Sequence, residues 1–208
     1  MMVDILKILV ALASGYLIGS LNTGVIVGKL YGKDIRDHGS KSAGLTNTLR
    51  VLGKTAAVFV LAGDILKGIL ACYIGLYMGV YAHSAGATDS LSLLAAGVGA
   101  VMGHNWPLYF GFKGGKGALT AVAVLFMFDW RMALVCLGLF AVIVAVTRYV
   151  SLGTLCAALL FVILSFAPFF DHSFYFTLFA VLMAGMIIFK HRENIKRLLS
   201  GTENKLSF

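Results

Sequence analysis

Residues 8–28 read ILVALASGYLIGSLNTGVIVG, an apolar run without a single charged side chain. A helix that crosses a bilayer needs about 20 mostly apolar residues, whereas the apolar core of a signal peptide has about 7–15. This run is too long for a signal peptide, and no clear Ala-x-Ala cleavage site follows it. We therefore predict that the segment from about Asp4 to Gly28 is the first membrane helix.

The composition of the whole chain agrees with a membrane protein. Of its 208 residues, 60% are hydrophobic and only 12% are charged, whereas soluble domains are about half apolar and a quarter charged. So few polar groups could not cover a soluble fold, but a bilayer removes that need. The length fits one domain, residues 1–208.

Six further apolar runs predict an all-α, polytopic integral membrane protein with seven transmembrane helices, some of them short or broken. The run from Ala118 to Phe128 is too short to cross a bilayer unaided. If it forms a re-entrant pair with the run after it, five crossings remain. The six runs are Lys54–Ala82, Ser90–Phe112, Ala118–Phe128, Met132–Thr147, Ser151–Phe170 and Phe174–Phe189.

The distribution of cations predicts the orientation. Nearly all Lys and Arg residues fall in the loop from Lys29 to Arg50, the loop around Gly114 and the C-terminal tail, while Lys7 and Arg131 are left on the opposite side. Positive residues favour the cytoplasmic side. We therefore expect these loops and the C-terminus to be cytoplasmic and the N-terminus to be outside.

The net charge of +8 does not indicate nucleic acid binding, because the charges lie in short segments between apolar runs and form no basic face on a soluble module. The three cysteines are far apart in apolar stretches and show no metal-ligand spacing. We expect no metal and no cofactor.

Three segments combine cations, glycines, hydroxyls and amides, which is typical of a polar site. They are residues 34–54, 103–117 and 191–197. In the second, Lys113-Gly-Gly-Lys116 allows backbone N–H groups to converge on an anion, and a helix that starts at Ala118 would add its dipole. It is not a Walker A loop. A glycine-rich connector with two cytoplasmic lysines explains the same pattern equally well.

The titratable residues near these segments have both structural and functional interpretations. His104 lies beside an apolar run, where a structural role is more common than a catalytic one. His191 and Asn194 share one helix face, although the segment also fits a cationic end to the last helix. Asp64 and Lys67 are predicted to form a structural ion pair near the cytoplasmic end of their helix.

Several catalytic motifs are missing from the sequence. There is no Gly-x-Ser-x-Gly elbow and no HExxH metal motif, and no His has Asp five positions later, as in the common acyl-CoA-dependent glycerolipid acyltransferases. Neither a Ser–His–Asp triad nor a catalytic metal therefore has candidate residues.

Taken together, the polar segments resemble the acyl-phosphate-dependent glycerol-3-phosphate acyltransferases of bacterial membranes, the PlsY family. The first segment departs from the family pattern. Lys41-Ser42 stands where Gly-Asn is usual, so Ser42 does not inherit the role of that Asn, and Leu45 and Asn22 replace the usual Ala and Pro. The resemblance covers nearly the whole chain, through Gly19-Ser20, Asp34-Ile-Arg36, His38-Gly-Ser40, Gly44-x-Thr-Asn47, Arg50, Asp64-x-x-Lys67-Gly68, Gly103-His104, Phe112-Lys-Gly-Gly-Lys-Gly117 and His191-Arg-Glu-Asn194.

The resemblance implies the first acylation of phospholipid synthesis, at the bacterial inner membrane. In that reaction, long-chain acyl phosphate and glycerol 3-phosphate give lysophosphatidate and phosphate. A soluble enzyme that makes acyl phosphate is an expected partner. The catalytic candidates are His104, Lys116, His191 and Asn194. The substrate-binding candidates are Ser40, Thr46, Asn47, Arg50, Lys113, Gly114, Gly115, Gly117, Ser151 and Glu193.

Because acyl phosphate is already activated, positioning and charge stabilisation are expected to supply most of the rate. The attacking hydroxyl would lose its proton to a substrate phosphate, with His104 or Glu193 as the alternatives within the protein. The rival interpretation is an organophosphate transporter or channel. The short chain, the lack of an inverted repeat and the polar groups concentrated on one side argue against it. A scaffold protein without a substrate would leave the Gly-Lys and His-x-x-Asn patterns unexplained.

Overall fold

The structure, a computed structural model, describes residues 1–84 and 87–206. Within these ranges the chain forms ten α-helices and one antiparallel hairpin. The helices are α1 Met2–Gly19, α2 Thr23–Leu30, α3 Leu45–Leu52, α4 Lys54–Met78, α5 Leu91–Asn105, α6 Ala118–Phe128, α7 Trp130–Thr147, α8 Val150–Ser165, α9 Phe174–Lys190 and α10 Arg192–Leu199, and the strands are β1 Tyr81–Ser84 and β2 Ala87–Ser90.

The first predicted helix is in fact two helices. The break falls at Asn22, whose backbone is extended and whose side-chain oxygen accepts a hydrogen bond from the Val25 amide at 3.2 Å. An amide side chain at this position satisfies an orphan N–H at the start of a helix. The predicted span is present, because Met2–Leu30 is long and apolar enough to cross a bilayer, but the helix is interrupted before Thr23.

The third predicted run is also shorter as a helix than expected. α5 ends at Asn105, and residues 108–110 form a 3-10 turn instead. Pro107 explains the break, because it has no N–H to donate and disfavours a helical conformation in the residue before it. By contrast, α6 has the bounds that the sequence predicts.

Small residues bring α1 and α5 into close contact. A Cβ atom added to Gly15 or Gly19 would collide with the backbone of Ala96 or Ala100. The Gly15-xxx-Gly19 spacing thus packs one backbone against another, as predicted for helices in a membrane. The order of these pairs shows that α1 and α5 run in the same direction.

Two clusters define the ends of the helix bundle. At one end, which we call the loop end, Lys190 donates to the Asn105 carbonyl (2.9 Å). At the other, the far end, His172 lies 3.2 Å from Asp89 and 3.3 Å from Asp129. The helices that follow one another from α4 to α9 run alternately between these two ends.

The bundle is that of an integral membrane protein, although only some helices have the length of a full span. Among the described residues, Met2–Leu30, Lys54–Met78 and Trp130–Thr147 are long and apolar enough to cross a bilayer. A fourth span results if α9 and α10, which meet at 61°, are counted as one. α6 and α8 are shorter apolar helices.

Candidate active site

A cavity of about 300 Å³ opens at the loop end of the bundle. Its mouth is polar and cationic, while its interior between α6, α7, α8 and α9 is apolar. All three segments that the sequence singles out contribute polar residues to the mouth, and Ser151 at the start of α8 adds another. These residues are Ser40, Thr46, Asn47, Arg50, Lys116, Ser151, His191 and Asn194.

Three helix N-termini converge on this mouth. The first residues of α3, α6 and α8 all line the cavity, and no side chain caps any of these three helices. The first amides of a helix have no partner within the helix. Unfilled amides and helix dipoles that point at one cavity make it suited to anions, phosphate above all.

The glycine loop before α6 is shaped by packing as well as by charge. A Cβ atom on Gly114 would collide with the His104 carbonyl, and one on Gly115 would collide with the His104 ring. The Gly115 amide already donates to the His104 carbonyl at 3.1 Å. It is therefore not free for phosphate, in contrast to the nest that the sequence suggests. Gly117, with φ +75, starts α6 and does line the cavity.

Lys116 is the partly buried cation of the mouth, whereas Arg50 is exposed. Lys116 Nζ donates to Asn194 Oδ1 at 2.7 Å. Burial lowers the pKa of Lys116 to about 8, and the nearby cations Arg197, Arg50 and Lys190 lower it too, while the Glu203 carboxylate acts in the opposite direction. This lysine is charged at neutral pH and easily neutralised above it.

The side chains of His191 and Asn194 are held in fixed orientations. His191 Nδ1 lies 2.8 Å from the Ile187 carbonyl, which can only accept, so Nδ1 carries the proton and Nε2 remains for a substrate. Asn194 accepts from Lys116 with its oxygen and donates to Glu203 with its nitrogen (2.8 Å). The predicted helix face is thus aimed at the cavity.

Glu203 is a site residue that the sequence analysis missed. Its Oε1 accepts from Ser151 Oγ (3.1 Å) and from Asn194, and its Oε2 accepts from Arg197 Nε (2.7 Å). The C-terminal tail holds it there, because the Leu206 amide bonds to the Arg148 carbonyl. A carboxylate after the cationic segment 191–197 is the only sequence signal that could have found it.

Asn47 lies at the mouth, but its side chain is occupied by the protein. Its oxygen accepts from the Ser40 amide (2.8 Å), and its nitrogen donates to the Ile35 and His38 carbonyls. Asn47 therefore ties the first loop to α3 and positions Ser40. A direct bond to substrate, as predicted for Asn47, would have to break this arrangement.

His104 is buried in a triad beneath the glycine loop. Lys67 Nζ lies 2.8 Å from Asp64 and 2.9 Å from His104 Nδ1. The predicted Asp64–Lys67 ion pair is confirmed. His104 Nδ1 also lies 3.6 Å from Asp64 Oδ1, and His104 lines the cavity. With Lys67 as an ammonium group, which only donates, His104 Nδ1 accepts and the proton sits on Nε2. In this arrangement His104 has no free lone pair with which to act as a base.

Four predicted site residues, Lys113, Gly114, Gly115 and Glu193, lie outside the cavity. Lys113 and Gly114 line a neighbouring, more polar cavity with Arg36 and Lys190. Glu193 is on the exposed side of α10, within 3.5 Å of Lys196. Neither Lys113 nor Glu193 is brought together with the residues at the mouth.

The fold and the cavity define a class of protein: an integral membrane protein with a cavity whose polar, cationic mouth opens onto an apolar interior. Comparisons with known proteins agree with this class. A family profile described as glycerol-3-phosphate acyltransferase matches residues 9–201. The glycerol-3-phosphate acyltransferase of Thermoanaerobacter pseudethanolicus is 42% identical over 192 residues, 92% of this chain and 91% of that protein. The Shouchella clausii enzyme is 40% identical over 206 residues, 97% of each chain.

Solved structures are similar as well. The crystal structure of PlsY (YgiH), an integral membrane glycerol 3-phosphate acyltransferase, in its glycerol 3-phosphate form has a TM-score of 0.86 at 36% identity, and the likeness covers 96% of each chain. The lysophosphatidic acid form has a TM-score of 0.83 at 36% identity and covers 96% of this chain and 95% of that one. The chain belongs to the glycerol-3-phosphate acyltransferase family.

Proposed function

We propose that this protein transfers a fatty acyl group from acyl phosphate to glycerol 3-phosphate, which gives lysophosphatidate and phosphate. The observation that carries the proposal is the convergence of three uncapped helix N-termini and Lys116 at the mouth of an apolar cavity. Both reacting headgroups are phosphates, and the group transferred is apolar. The polar mouth suits the phosphates, and the adjoining apolar interior suits the acyl group.

The proposed binding mode follows the polarity of the cavity. The acyl chain lies in the apolar interior, and the two phosphates lie at the mouth. Lys116, Arg50 and the amides at the starts of α3, α6 and α8 supply positive potential. Ser40, Thr46, Ser151, His191 and Asn194 supply hydrogen bonds to substrate oxygens. The glycine turn, with His104 beneath it, holds Lys116 in place.

The chemistry needs no nucleophile from the protein. A hydroxyl of glycerol 3-phosphate attacks the acyl carbon, the new C–O ester bond forms, and the bond from that carbon to the phosphate oxygen breaks. Phosphate leaves with the electron pair, and a phosphate oxygen takes the hydroxyl proton. Lys116 and the helix N-termini stabilise the charge that develops on the leaving group.

The proposed setting is the inner membrane of a bacterium, with seven crossings, the N-terminus outside and the loop end in the cytoplasm. The alternating direction of α4 to α9 supports seven crossings. The concentration of Lys and Arg at the loop end supports the orientation. A soluble enzyme that produces acyl phosphate would then deliver the donor from the cytoplasmic side.

Transport of an organophosphate is the weaker alternative. In the part of the chain that the structure describes, the far end is filled by the His172 ion cluster and by aromatic rings packed on Phe176. His172, Asp89, Asp129, Phe128 and Phe176 do not line the cavity. A cavity with one polar mouth and a blocked far end favours a reaction over a passage.

The deciding experiment offers labelled glycerol 3-phosphate to the purified protein in lipid or detergent. Long-chain acyl phosphate, acyl-CoA and acyl carrier protein are supplied as donors in separate reactions. We expect lysophosphatidate from acyl phosphate alone. Product from a thioester instead would overturn the donor, and no product from any donor in folded protein would overturn the reaction.

A further inference from the structure

Phe161 is the cavity-lining residue of α8 that lies furthest from the mouth. Phe161 lines the cavity and is only 6% exposed. Its ring meets Phe176 and Phe179 edge-on, with ring centroids 5.8 and 6.1 Å apart. Phe128 contacts both of those rings in turn. On the α8 side, the cavity therefore meets the edge of a packed aromatic cluster. Its rings are not expected to move aside for a longer chain, because protein cores are close-packed.

The depth of the cavity suits the chain of a membrane lipid. Ser151 at the mouth and Phe161 at the end lie on the same helix, α8, so the rise per residue puts about 15 Å between them along the axis. Met183 on α9 and His191 directly after that helix both line the cavity, and they give about 12 Å in the same way. Half of a hydrocarbon core of about 30 Å is a similar length.

The flank of the cavity has a different character from its end. Leu137 on α7 lines the cavity and is 39% exposed, whereas Phe161 on α8 is 6% exposed. The α7 wall is therefore more open than the part of the cavity at Phe161.

We propose that Phe161, backed by Phe176 and Phe179, sets the longest acyl chain that this protein accepts, and that Ala158 one turn earlier leaves room for the last carbons. Ala158 also lines the cavity and is 5% exposed. This inference rests on the proposed function, because it takes the apolar interior to be the acyl site. It predicts opposite changes for two substitutions on one helix.

The test measures kcat/KM for a series of saturated acyl phosphates from dodecanoyl to eicosanoyl. Phe161→Ala removes the ring that limits the length of the chain. The ratio of kcat/KM for octadecanoyl over tetradecanoyl phosphate should therefore rise about tenfold, an effect of the size that a methylene group has in an apolar pocket. Ala158→Leu fills the end of the cavity and should lower the same ratio about tenfold. Phe161→Leu provides a milder change in case the alanine variant does not fold.

A matched control tests whether the effect is specific to the end of the cavity. Phe166→Ala makes the same truncation directly after α8, at a residue that is 69% exposed and outside the cavity, so its chain-length profile should equal that of the wild type. Unchanged profiles in Phe161→Leu and Ala158→Leu, with an active wild type, would overturn the inference.

If the wild type transfers no acyl group, the proposed function fails instead. The length dependence of thermal stabilisation by lysophosphatidates of stepped chain length then still tests the role of Phe161. The same two opposite shifts are expected in that measurement, and their absence would reject the inference.

Discussion

The Glu203 carboxylate accepts a 2.8 Å hydrogen bond from the Asn194 amide, and the same oxygen accepts one from Ser151. Asn194 in turn accepts from Lys116. One anion in the C-terminal tail therefore links the start of α8, the start of α10 and the glycine loop. Each predicted contact to substrate in this part of the mouth depends on that link.

The first prediction concerns Glu203→Gln. Hydrogen bonds to a charged group contribute about 1.5–3 kcal/mol, so kcat/KM for glycerol 3-phosphate should fall about tenfold or more as Ser151 and Asn194 lose their orientation. The Glu203 charge also raises the pKa of Lys116, so the alkaline limb of the pH profile should move to lower pH. Glu193→Gln, at an exposed carboxylate, serves as the control and should leave both properties unchanged.

The second prediction separates the two lysines of the glycine loop. Lys116→Ala removes the cation inside the mouth, and turnover or phosphate affinity should fall by about two orders of magnitude or more. Lys113→Ala removes a cation that lies outside the cavity and should cost at most about tenfold. Steady-state kinetics on folded protein compares them. Equal losses would show that charge near the site matters and that position inside the mouth does not.

The third prediction is an alkaline limit on activity. Lys116 has a pKa lowered to about 8, so the free enzyme loses this charge as the pH rises through about 8, and kcat/KM should fall there. A bound phosphate stabilises the charged form, so the limit on kcat should appear at higher pH. Lys116→Arg keeps its charge and should remove the limb. Persistence of the limb in that variant would assign it to another group.

The fourth prediction concerns Lys41, which has φ +55 at a position where the family resemblance leads us to expect Gly. A side chain in this left-handed region costs about 1–2 kcal/mol, whereas glycine adopts it freely. Lys41→Gly should therefore raise the unfolding temperature, and Lys41→Ala, which loses the same charge but keeps Cβ, should not. Thermal unfolding in detergent measures both, and a lower midpoint for Lys41→Gly than for Lys41→Ala would contradict the prediction.

The fifth prediction concerns the far end. Both ring nitrogens of His172 face carboxylates, at Asp89 and Asp129, and its ring stacks on Phe176 at 3.7 Å. His172→Ala removes these contacts and should lower the free energy of unfolding by about 2 kcal/mol. Because the site is at the other end, kcat/KM of the folded protein should stay near that of the wild type. His38→Ala, at an exposed loop histidine, should change neither quantity.

The sequence correctly predicts those elements that depend on residues close together in the chain. α6 has its predicted bounds because an apolar run lies between a glycine and an aspartate that caps the next helix. The Asp64–Lys67 pair and the Gly15-xxx-Gly19 contact follow from the spacing of residues on one helix. The break at Asn22 was missed because the apolar run continues through it, and only the side-chain bond to Val25 reveals it.

The sequence does not predict how the side chains of the site are paired. His104 was a candidate base, but Lys67 on another helix takes its Nδ1. Asn47 was a candidate ligand, but its own loop uses its amide. The sequence does not predict Glu203 as a site residue, because nothing in the C-terminal tail indicates that the tail folds back onto α8. The partners of His104 and Glu203 lie on other elements, those of Asn47 lie in the preceding loop, and hydropathy and spacing specify neither kind of partner.

By itself, the sequence determined the class of protein, since apolar runs that long are stable as helices only in a bilayer, and the order of its polar segments indicated the family. Only the tertiary structure decided which of those polar groups meet. Lys116 and Asn194 are 78 residues apart and 2.7 Å from each other. Their contact arises because alternating helices return the chain to the same end of the bundle, where three unfilled helix N-termini place positive potential around one cavity.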